Sequence, residues 1–462
     1  MRLIYRLKQT MLAGGDLVSF AIGLWLSITI RYQHWPTWQQ IDELLSMFFL
    51  LFLFWITINF IGGLYDLGKP KAPQSWRHLI ESALISLVIS VVLIYILFHQ
   101  SATPKTILLL NIIIGYGFST IWRTIYDRYI GLHSLRQNII FVGLTPETTE
   151  LIEIIQNNPH GVYRVAALIE PSADVKSKDF PFFDVYKTLT TLRPAITNHK
   201  ADMVVIAPHI QKDPTLQREL YELLFWPVKI TDLTTFYEIV TGRIPPSTFS
   251  ETWFLDNLKN SQHPIYEKIR IITDKLAGIF VGVFFVILFP FIYIATKINS
   301  PGPILYKQQR VGQGGKIFQL YKFRSMYSLT PDGGAETDGA QFAIKNDKRV
   351  TWVGKFLRKT RFDEIPQFIN LLKGDITLIG PRPERPQIVE QLESKMIFYS
   401  LRHIVRPGLT GWAVVHQNYT DTMEKTMQKL QYDLYYIKNQ SIFLDISILL
   451  KTVNLVIRMM GQ

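Results

Sequence analysis

The stretch GIFVGVFFVILFPFIYIAT, Gly278 to Thr296, decides how this chain meets a membrane. It approaches the ~20 apolar residues that a spanning helix needs, yet it contains Pro290 and has cations on both flanks. Lys268, Arg270 and Lys275 precede it, and Lys297, Lys307, Arg310 and Lys316 follow it. Lys and Arg stay on the cytoplasmic side of membrane segments, so a single crossing leaves one flank on the wrong side. Proline removes a helical hydrogen bond and kinks the chain, which makes Pro290 the expected break of a re-entrant hairpin over 265–299. A kinked helix that still spans is the competing reading, because membranes tolerate proline in helices.

Outward from this stretch, the 462-residue chain is 48% hydrophobic and only 19% charged. Its apolar residues are bunched, as in a membrane protein with attached soluble parts. The net charge is +12. Because many Lys and Arg sit beside apolar runs or Gly-Pro motifs, anionic lipid and phosphorylated substrates explain them better than nucleic acid does. With no cysteine in the chain, disulfides, thiol chemistry and Cys-type zinc sites are excluded.

Four apolar runs open the chain, at 11–31, 46–65, 79–99 and 106–126. The first follows Arg2, Arg6 and Lys8. It is too long for a usual signal-peptide core and shows no clear cleavage site, so it is read as a retained helix. Asp16, near its cytoplasmic end, is expected at headgroup level. Cations at Lys69, Lys71 and Arg77, and again at Arg123, Arg128 and Arg136, contrast with poorer loops at 32–45 and 100–105. The N-terminus and everything after residue 127 are therefore expected in the cytoplasm.

From Arg136 the texture changes. QNIIFVGL, YRVAALIE, ADMVVIAP and VKITDL read as strands, with TPETTELIEIIQNN and PTLQRELYELLF as helices between them. Such alternation predicts a small parallel α/β domain over 136–250. A dinucleotide site would place G-x-G-x-x-G after the first strand; Gly143-Leu144-Thr145-Pro146-Glu147-Thr148 stands there instead. A structural or regulatory module is expected.

The last third carries the densest motifs: SPGPILYKQQRVGQGGKIFQLYKFRSM (300–326), NDKRVTWVGKFLRKTRFDEIPQFINLLKGDITLIGPRPERP (346–386), RHIVRPGLTGWAVV (402–415) and KLQYDLYYIKN (429–439). Lys322, Arg324, Arg358, Arg361, Arg382, Arg385 and Arg406 are set among Gly and Pro. Guanidinium forks and fixed turns suit phosphate oxygens, and a positive face against anionic lipid is equally consistent. Asp363-Glu364 opens a short helix, where Asp is a good N-cap. The same pair also suits a nucleophile or Mg²⁺ ligand with a partner, and Arg358 and Arg382 nearby in sequence favour that use. Ser447, Lys451, Asn454 and Arg458 make a polar stripe on the last helix, as expected of a helix at a membrane surface, with a core helix of the domain as the competing reading.

These motifs resemble those of the bacterial sugar transferase family, the polyprenyl-phosphate sugar-phosphate transferases or monotopic phosphoglycosyl transferases, over the whole of 265–462. The upstream arrangement resembles the long members that start exopolysaccharide or lipopolysaccharide O-antigen repeat units. The resemblance implies transfer of a sugar 1-phosphate from a UDP-sugar to undecaprenyl phosphate, releasing UMP, with glucose or galactose as the guessed sugar. Asp363 matches the family's nucleophile and Glu364 its partner, both placed to hold Mg²⁺. Lys322, Arg358 and Arg382 match basic substrate- and phosphate-binding positions. The family's hairpin is re-entrant, although Phe289 here replaces the small residue usual before the break at Pro290. A catalytic part for His403 is disfavoured. A non-catalytic scaffold of a polysaccharide assembly complex is the alternative function, and a nicotinamide-dependent enzyme is weakened by the missing glycines.

The expected architecture is a membrane α-helical bundle of four transmembrane helices over 1–130, a small Rossmann-like α/β middle domain over 136–250, the hairpin over 265–299, and a mixed α/β catalytic domain with interfacial helices over 300–462. The expected location is the bacterial inner membrane, with the catalytic domain on the cytoplasmic face. A homodimer through the middle domain is a further expectation.

Overall fold

The computed structural model describes residues 2–65, 75–97, 105–129, 136–158, 161–171, 180–258, 264–328, 349–417 and 422–457. Lys69 and Lys71 of the orientation argument, residues 346–348 of the second motif and Arg458 lie outside them. The chain divides into two compact units, Met1–Phe236 and Tyr237–Gln462.

The first unit opens with four helices: α1 (Arg2–Tyr32), α2 (Trp38–Ile61), α3 (Ser75–Leu97) and α4 (Lys105–Tyr129). By length and apolar composition, α1, α2 and α4 are long enough to cross a membrane, and α3 carries a shorter apolar stretch, Leu79–Ile94. Helix α1 packs on α4 through small residues. A Cβ on Gly23 would lie 2.9 Å from the Gly115 backbone, so the two helices touch main chain to main chain, as membrane helices do where small residues recur every fourth position. Gly15, Ser19, Gly23 and Ser27 supply that spacing. Asp16 faces the inside of the helical bundle. It is fully buried, ion-paired with Arg123 and accepts hydrogen bonds from Tyr65 and Ser119, each at 2.7 Å. A carboxylate one turn inside an apolar run finds its counter-charge on the neighbouring helix, which the run's own sequence cannot reveal.

A parallel sheet follows, built from β1 (Gln137–Val142), α5 (Pro146–Gln156), β2 (Tyr163–Ile169), β3 (Asp184–Tyr186), α6 (Leu192–His199), β4 (Met203–Ile206), α7 (Pro214–Leu223) and β5 (Lys229–Asp232). The strand order is β3-β2-β1-β4-β5 and every pairing is parallel. Such strands are covered on both faces, which explains why Ile139–Val142 and Met203–Ile206 are buried without alternation. At the end of β1, Gly143 has φ +97°. The amide of Leu144 just after it donates to the Glu170 carboxylate at 2.5 Å. A side chain thus takes up an amide of the turn where a dinucleotide fold would hold phosphate.

The second unit begins with α8 (Leu233–Thr241, which straddles the boundary) and α9 (Glu251–Leu258). Next comes α10 (Pro264–Asn299), 36 residues with Pro290 inside. The helix is continuous through Pro290, so the expected break is not a gap between two helices; losing one main-chain bond leaves the rest of the ladder intact. One stripe of α10 packs on its own unit from end to end. Arg270 bonds to Thr377 and Ile379, Asp274 accepts from the Leu378 amide at 2.9 Å, Gly278 and Gly282 face Leu372 and Phe368, Phe285 stacks on Phe323, and Asn299 accepts from the Val353 amide at 3.2 Å. The three- and four-residue steps of this stripe are those of one helix face. The opposite face exposes Phe280, Val283, Val286, Ile287, Phe291 and Ile294.

On this stripe rest an antiparallel hairpin of β6 (Leu305–Val311) and β7 (Ile317–Phe323), then α11 (Trp352–Thr360), a 3-10 turn (Phe362–Gln367), α12 (Phe368–Lys373) and β8 (Thr377–Ile379). They are followed by α13 (Pro386–Glu393), a second 3-10 turn (Tyr399–Ile404), β9 (Gly408–Thr410), α14 (Trp412–His416), α15 (Met423–Lys438) and α16 (Ile442–Ile457). Strands β8 and β9 pair in parallel. Their glycines interlock: a Cβ on Gly408 would fall 2.0 Å from the Gly380 amide nitrogen. Helix α16 buries Ile448 against Ile379 and Tyr436 and exposes Phe443, Ile446 and Val453, so it is both a core helix and an apolar surface.

Candidate active site

Asp363 and Glu364 sit in the first 3-10 turn, between α11 and α12. The turn exists because Arg361 adopts φ +62° and ends α11. A left-handed backbone at a non-glycine residue is uncommon and held only by surrounding structure. Helix α11 itself is pressed against the end of the hairpin. A Cβ on Gly354 would lie 1.9 Å from the Ser325 carbonyl oxygen, so the GKFLRKTRFDE run needs glycine there. Phe362 and Ile365, on either side of the pair, pack in one cluster with Phe285, Phe289 and Phe323.

Three cations converge on one oxygen, Glu364 Oε1: Arg382 Nη2 at 2.6 Å, Lys322 Nζ at 3.5 Å and Arg361 Nη1 at 3.6 Å. Burial opposes the Glu364 charge, but Arg382, Lys322 and Arg361 outweigh it and hold the carboxyl well below its usual range. Asp363 is different. Burial first and the Glu364 charge second push it up to about 6, against the pull of Lys322, Arg358 and Arg361. Its Oδ1 is buried with no hydrogen-bond partner. Two adjacent carboxyls are thus pushed apart, one fixed as an anion among cations and one raised toward neutral pH. Burial lowers the Lys322 ammonium, while the Glu364 charge raises Arg382.

Lys322, Arg361 and Arg382 therefore meet at the pair. Arg358 donates through Nε to Ser325 Oγ at 3.0 Å and acts on Asp363 through its charge. Arg324 is not part of the site; it is buried and donates to the carbonyls of Ser300 and Pro301. Arg406 ties the RPG turn to α10 through Glu267 and Asp274, at 3.3 and 3.8 Å. Arg385 immediately precedes α13. His403 packs on Tyr399 and lies 3.9 Å from Glu393; burial and then Arg402 push it down to about 4, so it is neutral at pH 7. Pro290 lies one residue beyond Phe289, which packs on Phe323 next to Lys322.

Sequence reasoning missed Arg310, Glu384 and the Arg402–Asp433 pair. Arg310 lies 3.6 Å from Glu384, which Lys429 meets at 2.6 Å. Burial is outweighed there by Lys429, Arg402 and Arg310, which bring Glu384 down to about 2. Arg402 and Asp433 pair at 2.8 Å, both buried. No His-, Asp- or Glu-rich cluster of three able to hold a metal is found among the described residues.

The family model described as bacterial sugar transferase matches residues 265–459. A UDP-N-acetylgalactosamine-undecaprenyl-phosphate N-acetylgalactosaminephosphotransferase of Aeromonas hydrophila is 44% identical over 224 residues, covering 48% of this chain and 51% of that protein. A UDP-glucose:undecaprenyl-phosphate glucose-1-phosphate transferase of Klebsiella pneumoniae is 31% identical over 334 residues, 71% of this chain and 69% of that protein. An undecaprenyl-phosphate galactose phosphotransferase of Salmonella typhimurium is 39% identical over 182 residues, 37% of each chain. The matched part thus spans about half of the Aeromonas protein and two thirds of the Klebsiella one. With the family's motifs gathered around one carboxylate pair, and a relative matched over most of both chains, this chain belongs to the bacterial sugar transferase family.

Proposed function

We propose that this chain transfers a sugar 1-phosphate from a UDP-sugar to undecaprenyl phosphate, giving undecaprenyl-diphosphate-sugar and UMP. The observation that carries the reading is the asymmetry of the pair: Glu364 is held by three cations while Asp363 keeps a buried, unpartnered oxygen. Asp363 Oδ1 attacks the β-phosphorus, a carboxyl–phosphate bond forms, and the bond to the UMP phosphate breaks with its electrons leaving on UMP. An oxygen of undecaprenyl phosphate then attacks the same phosphorus, and the carboxylate departs unchanged. Lys322 and Arg382 bind the diphosphate oxygens and spread the charge that grows there. Arg358, held by Ser325, keeps the Asp363 carboxylate available.

Mg²⁺ fits this site. Asp363 Oδ1 is buried without a hydrogen-bond partner, and the three cations meet Glu364 on Oε1, so Asp363 and Glu364 are the residues that would hold the ion. Two carboxylate oxygens plus substrate phosphate suit an ion that rarely takes an all-protein cage, and it would neutralise charge on the transferred phosphoryl group.

The membrane reading belongs to the same proposal. At 36 residues, α10 is about 54 Å long, beyond the ~30 Å of a bilayer core. What supports entry and exit on one face is that Arg270 near its start and Asn299 at its end are both bonded to the catalytic unit. We place that unit on the cytoplasmic face of the bacterial inner membrane, where α10 dips into one leaflet and bends at Pro290. The middle sheet, with the strand order of a doubly wound fold, serves as a structural module.

The test is UMP release by the purified chain with Mg²⁺, undecaprenyl phosphate and, in turn, UDP-glucose, UDP-galactose and UDP-N-acetylgalactosamine. Release with at least one donor, abolished by Asp363→Asn, is expected. Undiminished release by Asp363→Asn would sink the mechanism, and silence with all three donors would sink the assignment of the substrate class.

A further inference from the structure

The segment Pro381-Arg382-Pro383-Glu384 delivers Arg382 to Glu364, and four consecutive carbonyls of it are each taken by a donor. Pro381 O accepts from the Gly408 amide at 2.9 Å, and Glu384 O from the Val311 amide at 2.9 Å. Between them, Arg382 O accepts from Arg402 Nη2 at 2.9 Å and Pro383 O from Arg310 Nη1 at 2.9 Å. The two inner donors are guanidinium groups from different elements, Arg310 on β6 and Arg402 in the second 3-10 turn. Neither is hydrogen-bonded to Asp363 or Glu364 among the described residues.

Each guanidinium is itself braced. Arg402 is 2% exposed, and the same Nη2 that holds Arg382 O meets Asp433 Oδ2 at 2.8 Å while Nη1 meets the Tyr399 hydroxyl. Arg310 is tied to Gln308 at 2.5 Å and to Glu384. The segment needs such bracing because prolines at 381 and 383 have no N–H to donate. Its path is set by what grips its oxygens. A planar guanidinium with several donors in fixed directions orients a carbonyl while holding a second acceptor, which a lysine ammonium on a flexible stem does poorly.

We infer that Arg310 and Arg402 are positioning residues: they hold the backbone on either side of the Arg382–Pro383 peptide so that the Arg382 guanidinium stands where the donor's diphosphate binds. This rests on the reading of Arg382 as a diphosphate-binding group. Neither residue touches the reacting atoms; each acts through Arg382.

The full chain is compared with Arg402→Lys and Arg310→Lys, each alone and combined with Arg382→Ala. UMP release is measured as donor and lipid concentrations vary, and UDP binding is measured by calorimetry. Each lysine variant is expected to raise the donor KM and the UDP Kd by on the order of 10- to 100-fold, the scale of a misplaced binding group. The KM for undecaprenyl phosphate should stay within about twofold, and in the Arg382→Ala background the same substitutions should add less than about twofold, because they act through a group already removed. Effects that multiply with Arg382→Ala would overturn the inference and leave both arginines as general braces of the fold. Lysine variants indistinguishable from wild type would also overturn it while leaving the reading of Arg382 intact. If Arg382→Ala itself changed neither UDP binding nor UMP release, that reading would fall and the inference with it. Should Arg402→Lys not fold, Arg310→Lys decides the matter alone, since it holds the neighbouring carbonyl from another element.

Discussion

Replacing Asp363 with asparagine is expected to abolish UMP release and to make the protein more stable. Asp363 is buried, one of its oxygens has no partner, and its carboxyl is pushed from the ordinary 3.8 up to about 6. The folded chain therefore binds the proton more tightly than the unfolded chain does. Below about pH 4 both states are protonated and the residue has no such effect. As pH rises through the folded value the fold must carry an unfavourable anion, and a rise of this size amounts to roughly 3 kcal/mol lost. Asparagine does not titrate, so its advantage should be absent near pH 4, grow through pH 6 and level off by pH 8. Thermal midpoints of the purified chain, read against pH for wild type and variant, should differ by several degrees at pH 8 and converge in acid. A variant less stable than wild type at pH 8 would refute the reasoning, because it would mean that the buried Asp363 carboxylate serves the fold and not the chemistry.

Other perturbations test other parts of the structure. The acid limb of kcat/KM for the donor should fall near the Asp363 value of about 6, and should not move when His403, already neutral at pH 7, is changed to Gln. Gly354→Ala drives a methyl into the Ser325 carbonyl and should cost about 3 kcal/mol, seen as loss of folded protein and not as a raised KM. Arg123→Ala leaves buried Asp16 without its counter-charge and should destabilise the helical bundle by about 3–5 kcal/mol, while the double change with Asp16→Ala should cost less; circular dichroism on heating separates the two. Phe285→Ala removes the ring stacked on Phe323 and should cost about 3 kcal/mol, with UMP release falling although the chain still floats with vesicles.

The candidate pair was legible because its carboxyls sit in adjacent letters, Asp363 and Glu364, with Arg358 and Arg382 close by in sequence. The residues that hold it were not. Arg402 reaches Arg382 O and Asp433, and nothing in RHIVRPG marks which arginine faces a carbonyl and which a substrate. For the same reason Arg324 and Arg406 looked like phosphate ligands and turned out to brace the SPGP turn and α10. In the middle sheet, the four strands read from the sequence are present, whereas β3 is three residues long at an edge, too short for a periodicity to show. Pro290 was visible as an interruption, but its effect depends on Phe285, Phe289 and Ile292, which pack on the catalytic unit on both sides of it.

That last packing bears on how the enzyme can be handled. Helix α10 is not a tether from which a soluble catalytic domain hangs. Phe285 and Phe289 supply part of the cluster behind Asp363, and Arg270 and Asp274 fasten the strand that leads into Pro381-Arg382-Pro383. Cutting the chain at Ser300 would remove one wall of the active site, so a water-soluble version must keep the inner face of α10 and change only the outer one. Replacing Phe280, Val283, Ile287, Phe291 and Ile294 with polar residues is the route that leaves the chemistry whole.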